Sequence, residues 1–171
     1  MAVQYMASIT ERYEQLGYTP YRWYQADEPP PFQPMRKSLS ESRLGMISTS
    51  GAYTIGQVAF HYKDDTSIRE IAKESSNDEI HFSHITENYL ASPRKDPNCI
   101  FPIDALRKSE ANGQIGELAP EFFSCMGGVY SQRRVREELI PELRAKFQAQ
   151  AVDTAIEACD IVSLAHRKTD T

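Results

Sequence analysis

Apolar positions recur along this chain with two different periods, and each stretch of regular period predicts an element. Ile9, Tyr13 and Leu16 follow helical spacing. Ser8 or Thr10 offers an N-cap, Glu11 suits the positive end of a helix, and Gly17 closes the run, so a short first helix is expected. Leu44, Met46 and Ile47 form a compact apolar run that ends in Ser48, Thr49, Ser50 and Gly51, the pattern of a buried strand followed by a tight loop. Strict alternation over 78–85 places Ile80, Phe82 and His84 on one face of a second strand and His81 and Ser83 on the other. A further strand is expected in the second half of 61–71, where Ile68 and Glu70 alternate with Ser67, Arg69 and Ile71.

The second half of the chain reads more clearly. Pro102 suits a first helical turn, Ile103, Ala105 and Leu106 supply an apolar stripe, and Gly113 stops the helix. Residues 121–128, EFFSCMGG, read as a strand running into a glycine turn. Val135, Leu139, Ile140, Leu143 and Phe147 repeat close to every 3.6 residues after a Ser131 cap, and Pro141 should kink that helix or begin a second segment. The tail is open between two readings. Val152, Ile156, Cys159 and Val162 fit a helix, while VDTAI fits the start of a strand.

Strands alternating with helices predict an α/β domain over 43–171. Residues 1–42 form a preceding helix and an arm. The arm, 18–34, holds five prolines and yet carries Tyr18, Tyr21, Trp23, Tyr24 and Phe32. Prolines forbid a regular helix, and the aromatics are too many for a free linker. The arm is therefore expected to wrap onto its own core or to cross to a second copy, and a homodimer is the default expectation.

Composition narrows the function classes. The net charge is -5, from 19 basic and 24 acidic residues, and the one basic cluster, Arg133, Arg134 and Arg136, is answered by Glu137 and Glu138. Nucleic-acid binding is not expected from that balance. Mean hydropathy is -0.53, no apolar run approaches about 18 residues, and the first residues lack a signal-peptide pattern, so a cytoplasmic protein without membrane contact is expected. Three cysteines, Cys99, Cys125 and Cys159, include no CxxC pair, and the four histidines form no HExxH.

The candidate chemistry clusters at strand ends. Ser48, Thr49, Ser50, Gly51 and Tyr53 lie in and beside the loop where ligands of α/β proteins bind. Cys125 lies at a strand end before a helix, where a thiol can be acidified, and equally fits a buried core cysteine. His84 at a strand end is a candidate acid or base. Arg69 can clamp a carboxylate or pair with Glu70 or Asp65. His61, Asp65 and His84 form an alternative set for a divalent metal such as zinc. Otherwise no cofactor is expected. Cys99 reads as structural.

Several segments also occur together, in this order, in one known family. They are GYTPYRWYQ, SRLGMISTSGAY, DDTSIREI, FSHITENY, KDPNCIFPIDALRK and NGQIGELAPEFFSCMGG, followed by the long helix. The chain resembles the glycine/sarcosine/betaine/D-proline reductase selenoprotein B family in its short, cysteine-containing form, from about Tyr13 to about Asp153. The resemblance implies a three-layer α/β/α sandwich with a central, mostly parallel sheet. It also implies reductive cleavage of an activated carbon–heteroatom bond in a small substrate, with a thiol as electron donor. In the short form the strand after the long helix ends in a CPxC-like motif. Here EACDIVSLAH keeps only Cys159 of it, as the remnant of the redox position. The alternative to an oxidoreductase is a metal-dependent lyase or hydrolase, or an accessory binding subunit, on the same fold.

Overall fold

The computed structural model describes residues 4–20, 29, 33–84 and 90–158. Most of the aromatic arm, and Cys159, lie outside the described residues. The elements follow in the order α1 (Tyr5–Gln15), β1 (Arg43–Ser48), β2 (Ala52–Thr54), β3 (Arg69–Ala72), β4 (Ile80–Phe82), α2 (Ile103–Ala111), β5 (Glu117–Leu118), β6 (Glu121–Ser124), α3 (Gln132–Arg134), a π-helical turn (Val135–Leu139), α4 (Ile140–Ala149) and β7 (Thr154–Ala158). Helices and strands mix as an α/β chain should.

The main sheet is built around β1. Its start pairs in parallel with β5 and its end with β6, so both lie along one edge. β7 runs parallel along the other edge, Ser48 opposite Ala158. β3 adds to β6 antiparallel, which makes the sheet mixed. β2 and β4 form a separate antiparallel ribbon with Tyr53 opposite His81.

Adjacent side chains on a strand face opposite ways, and two neighbouring phenylalanines show it. Phe122 meets Phe101 edge-on at 6.4 Å, while Phe123 meets Phe147 of α4 at 4.9 Å. The larger core gathers Leu44, Met46, Ile71, Phe101, Ile103 and Phe122. Gly45 has no side chain because a Cβ there would strike Phe147 at 2.6 Å.

The helix ends differ in detail from expectation. α1 begins at Tyr5, ahead of the expected caps, and the Ser8 and Thr10 hydroxyls donate back to the Gln4 and Met6 carbonyls instead of capping. In α2, Ile103 and Leu106 are buried but Ala105 faces solvent, and Asn98 caps the helix by accepting from the Asp104 amide at 3.0 Å. Ser131 caps α3 as expected. Pro141 starts a second segment, one of its two expected roles: it lies in the first turn of α4, and the ladder it cannot complete widens into the π turn just before it. The described part of the tail holds a strand, Thr154–Ala158. β2 follows the Ser48–Gly51 loop directly, and three residues are too few to show a period in the sequence.

On the α4 side of the sheet, Lys146 forms an ion pair with Glu70, next to Glu121. The hydrogen bond shared with Glu70 pushes the Glu121 carboxyl up, and burial adds to it. A raised carboxyl favours the fold most below its unfolded value and loses that contribution as pH rises through the folded value. Glu121→Gln keeps a hydrogen-bond donor toward Glu70 and removes the repulsion. It is expected to raise Tm at pH 7 by about 2–4 °C and to have little effect near pH 4, read by thermal melts across that range.

Candidate functional site

Three backbone connections bring the expected loop and the glycine turn together at the carboxyl edge of β1. The Cys125 amide donates to the Ser48 carbonyl at 2.9 Å, the Gly51 amide to the Cys125 carbonyl at 3.0 Å, and the Ser83 amide to the Gly51 carbonyl at 3.0 Å. The residue after Ser83 is His84, 6% exposed. A Cβ built on Gly127 would lie 3.1 Å from His84 Nε2 and 2.8 Å from the Thr49 carbonyl. Thr49, His84 and the turn from Cys125 to Gly127 therefore share one neighbourhood. Across β1, the Thr49 amide donates to the carbonyl of Ala158 at 3.1 Å, so β7 ends there too, with Cys159 the next residue in the chain.

Within this neighbourhood the hydroxyls divide by strand face. Ser48 donates to the Ile100 carbonyl at 2.9 Å and lies 2.7 Å from the Ser50 hydroxyl, and both serines are fully buried. They hold the loop and face the interior. Thr49 Oγ1 and Ser124 Oγ are buried and have no hydrogen-bond partner among the described residues. Such groups are uncommon and draw a partner where one is available. Cys125 is 3% exposed, so its sulfur faces protein.

Other expected site residues are placed elsewhere. Tyr53 sits against His81, ring centroids 5.8 Å apart. With Asn77, Arg94 and Lys95 it lines a separate cleft of about 500 Å³. Arg69 is held by neighbouring backbone and an aromatic ring. Its Nε donates to the Val58 carbonyl at 2.7 Å, its NH1 to Ser67 at 2.8 Å, and its guanidinium lies 4.2 Å over the Phe60 ring.

The metal alternative is not formed. No group of three histidine, cysteine or acidic side chains converges among the described residues. His61 is exposed, and Asp65 is engaged by the His61 amide at 2.7 Å and the Ser67 amide at 2.9 Å. Burial works to raise the Asp65 carboxyl, and hydrogen bonds from Ser67 and the His61 amide outweigh it and hold the carboxyl low.

One residue was missed in the sequence. Asp64 sits at φ 49 and its carboxylate accepts from the Tyr130 amide at 2.6 Å and the Ser131 amide at 3.0 Å. The positive end of the long helix is thus met by a carboxylate, and the expected acidification of Cys125 by that end finds a competitor. The adjacent acids in HYKDDTS were the available signal.

Residues 82–159 match the model of the glycine/sarcosine/betaine reductase selenoprotein B family. The D-proline reductase subunit gamma of Acetoanaerobium sticklandii is 30% identical over 128 residues, which is 75% of this chain and 52% of that protein. Both comparisons support the selenoprotein B family for this chain. It spans about half the length of that curated relative. No solved structure matches it. The selenoprotein B match begins in β4 and ends at Cys159, so it contains His84, the glycine turn and all of β7. No helix among the described residues is long and apolar enough to cross a membrane.

Proposed function

We propose that the carboxyl edge of β1 is the site of a thiol-dependent reductive cleavage of an activated carbon–heteroatom bond in a small substrate. The carrying observation is that one family-matched segment gathers His84, Gly127 and the end of β7 around Thr49. A three-layer α/β/α arrangement goes with this reading. Phe122 meeting Phe101 and Phe123 meeting Phe147 of α4 support it.

Cys159, directly after β7, is the reacting sulfur in this reading. Its thiolate attacks the heteroatom, forming a sulfur–heteroatom bond as the carbon–heteroatom bond breaks. The electron pair passes to carbon, which takes a proton from His84. A donor thiol then attacks the Cys159 sulfur and stays bonded to it as a mixed disulfide, while the sulfur–heteroatom bond breaks and the heteroatom departs with the donor's proton. A second donor thiol releases Cys159. Two electrons and two protons enter the substrate, and two donor thiols end as a disulfide. Thr49 Oγ1 is the hydroxyl available to orient the substrate. Cys125 stands beside this path as the buried second sulfur. Partner polypeptides belong to the proposal as well, since the relative is one subunit of its reductase.

The test is turnover of D-proline and other small amines with dithiothreitol as donor, in wild type, Cys159→Ser, Cys125→Ala and His84→Gln. Cys159→Ser is expected to lose turnover at least about a thousandfold and His84→Gln about a hundredfold. Full turnover in Cys159→Ser would overturn the reading, and full turnover in Cys125→Ala would remove that sulfur from it.

A further inference from the structure

The cleft of about 500 Å³ beside Tyr53 is not used by the proposed reaction, and none of Thr49, His84, Cys125 or Gly127 lines it. Its volume is that of a small-molecule site. Three pieces of chain wall it. The β2–β4 ribbon sets Tyr53 opposite His81, and alternation turns both away from the core that holds Ala52, Ile80 and Phe82. The turn ahead of β4 supplies Asn77 and Asp78, and the turn after Leu90 supplies Arg94 and Lys95.

These walls are fixed by bonds of their own. Asn77 Nδ2 donates to the carboxylate of Asp104 in α2. The Arg94 amide donates to the Leu90 carbonyl at 3.0 Å, the Lys95 amide to the Ser92 carbonyl at 2.9 Å, and Pro93 beside them is buried. The cleft is therefore preformed.

Its polar groups are of two kinds. Asn77 Oδ1 is buried and has no hydrogen-bond partner among the described residues. The amide cannot simply turn round, because Asp104 only accepts and already holds Nδ2. A buried acceptor left open in this way draws a donor. The side chains of Tyr53, His81 and Lys95 are donors that enter no hydrogen bond or ion pair among the described residues. Arg94 next to Lys95 brings a second cation, while Asp78 is the one acid in the lining. A fitting ligand brings negative charge to the cations and a hydroxyl to Asn77 Oδ1. Two adjacent cations suit a phosphate ester, which carries about 1.5–2 negative charges near neutral pH, better than a single carboxylate. The Tyr53 and His81 rings offer apolar surface to its carbon skeleton.

We infer that this cleft binds a small phosphorylated polyol, its phosphate at Lys95 and Arg94 and a hydroxyl on Asn77 Oδ1.

The experiment is calorimetric titration of the full chain with glycerol 3-phosphate, glycerate and inorganic phosphate, in wild type, Lys95→Gln, His81→Gln and Lys63→Gln. The three substituted side chains are exposed, so the fold should survive; circular dichroism checks this. Glycerol 3-phosphate is expected to bind wild type saturably and at least about fivefold tighter than either other probe. Its affinity is expected to fall about tenfold in Lys95→Gln and in His81→Gln, the loss of one charge-assisted hydrogen bond, and to stay unchanged in Lys63→Gln, outside the cleft. No saturable binding, or binding indifferent to the Lys95 and His81 changes, would overturn the site. Equal binding of inorganic phosphate or of glycerate would overturn the phosphorylated polyol as its ligand. An equal loss in Lys63→Gln would reduce the binding to general charge attraction and overturn the site as well.

Discussion

Gly51→Ala is expected to cost at least about 3 kcal/mol of stability, read as a fall in the urea midpoint. Two causes add. Gly51 has φ 67, and a Cβ there would lie 2.1 Å from the Ser83 carbonyl oxygen. That carbonyl cannot swing aside freely, because the neighbouring Ser83 amide is tied to the Gly51 carbonyl and the Gly51 amide to Cys125. Gly113 supplies the control. It has φ 70 but nothing within 4 Å of its Cβ position. Gly113→Ala therefore isolates the conformational cost and should lose about 1 kcal/mol. Equal losses at the two positions would mean that the collision at Gly51 is relieved.

Gly127→Ala is expected to separate activity from stability. The added methyl would meet the Thr49 carbonyl at 2.8 Å and His84 Nε2 at 3.1 Å, and Gly127 carries no positive φ to add strain. The backbone carbonyl is the closer and harder obstacle, so the turn shifts away from it and presses on the imidazole. In the proposed reaction His84 is the proton donor, and misplacing it by about 1 Å costs on the order of a hundredfold in turnover. Turnover of D-proline with dithiothreitol should therefore fall about that far, while the melting temperature drops less than in Gly51→Ala. Unchanged turnover would place His84 outside the reaction.

Much of this geometry was legible in the residues. The apolar run from Leu44 and the alternation of Ile80, Phe82 and His84 define β1 and β4 because burial on one face leaves a period. The same alternation, carried two steps past Met46, puts Ser48 and Ser50 on the core face and leaves Thr49 as the hydroxyl of interest. Reading the loop as a set of equivalent hydroxyls hid that. The pairing of Tyr53 was hidden for a related reason. It belongs to the ribbon partner of His81, and antiparallel pairing of two three-residue strands leaves no periodic trace. The adjacent acids flagged Asp64 but not its task, for a physical reason of a different sort. Its role depends on a left-handed backbone and on amides more than 60 positions away, neither of which shows in local pattern.

The widened turn ahead of Pro141 has a consequence for helix phase. Arg134 donates to the Asp64 carbonyl and at 2.9 Å to Thr66, while Lys146 binds Glu70, so both cations grip the stretch leading into and along β3. In an unbroken α-helix two residues twelve positions apart point about 120° away from each other. One π turn absorbs an extra residue and cuts that angle to about 20°. The irregularity is what lets one rod clasp the same strip of chain at both ends.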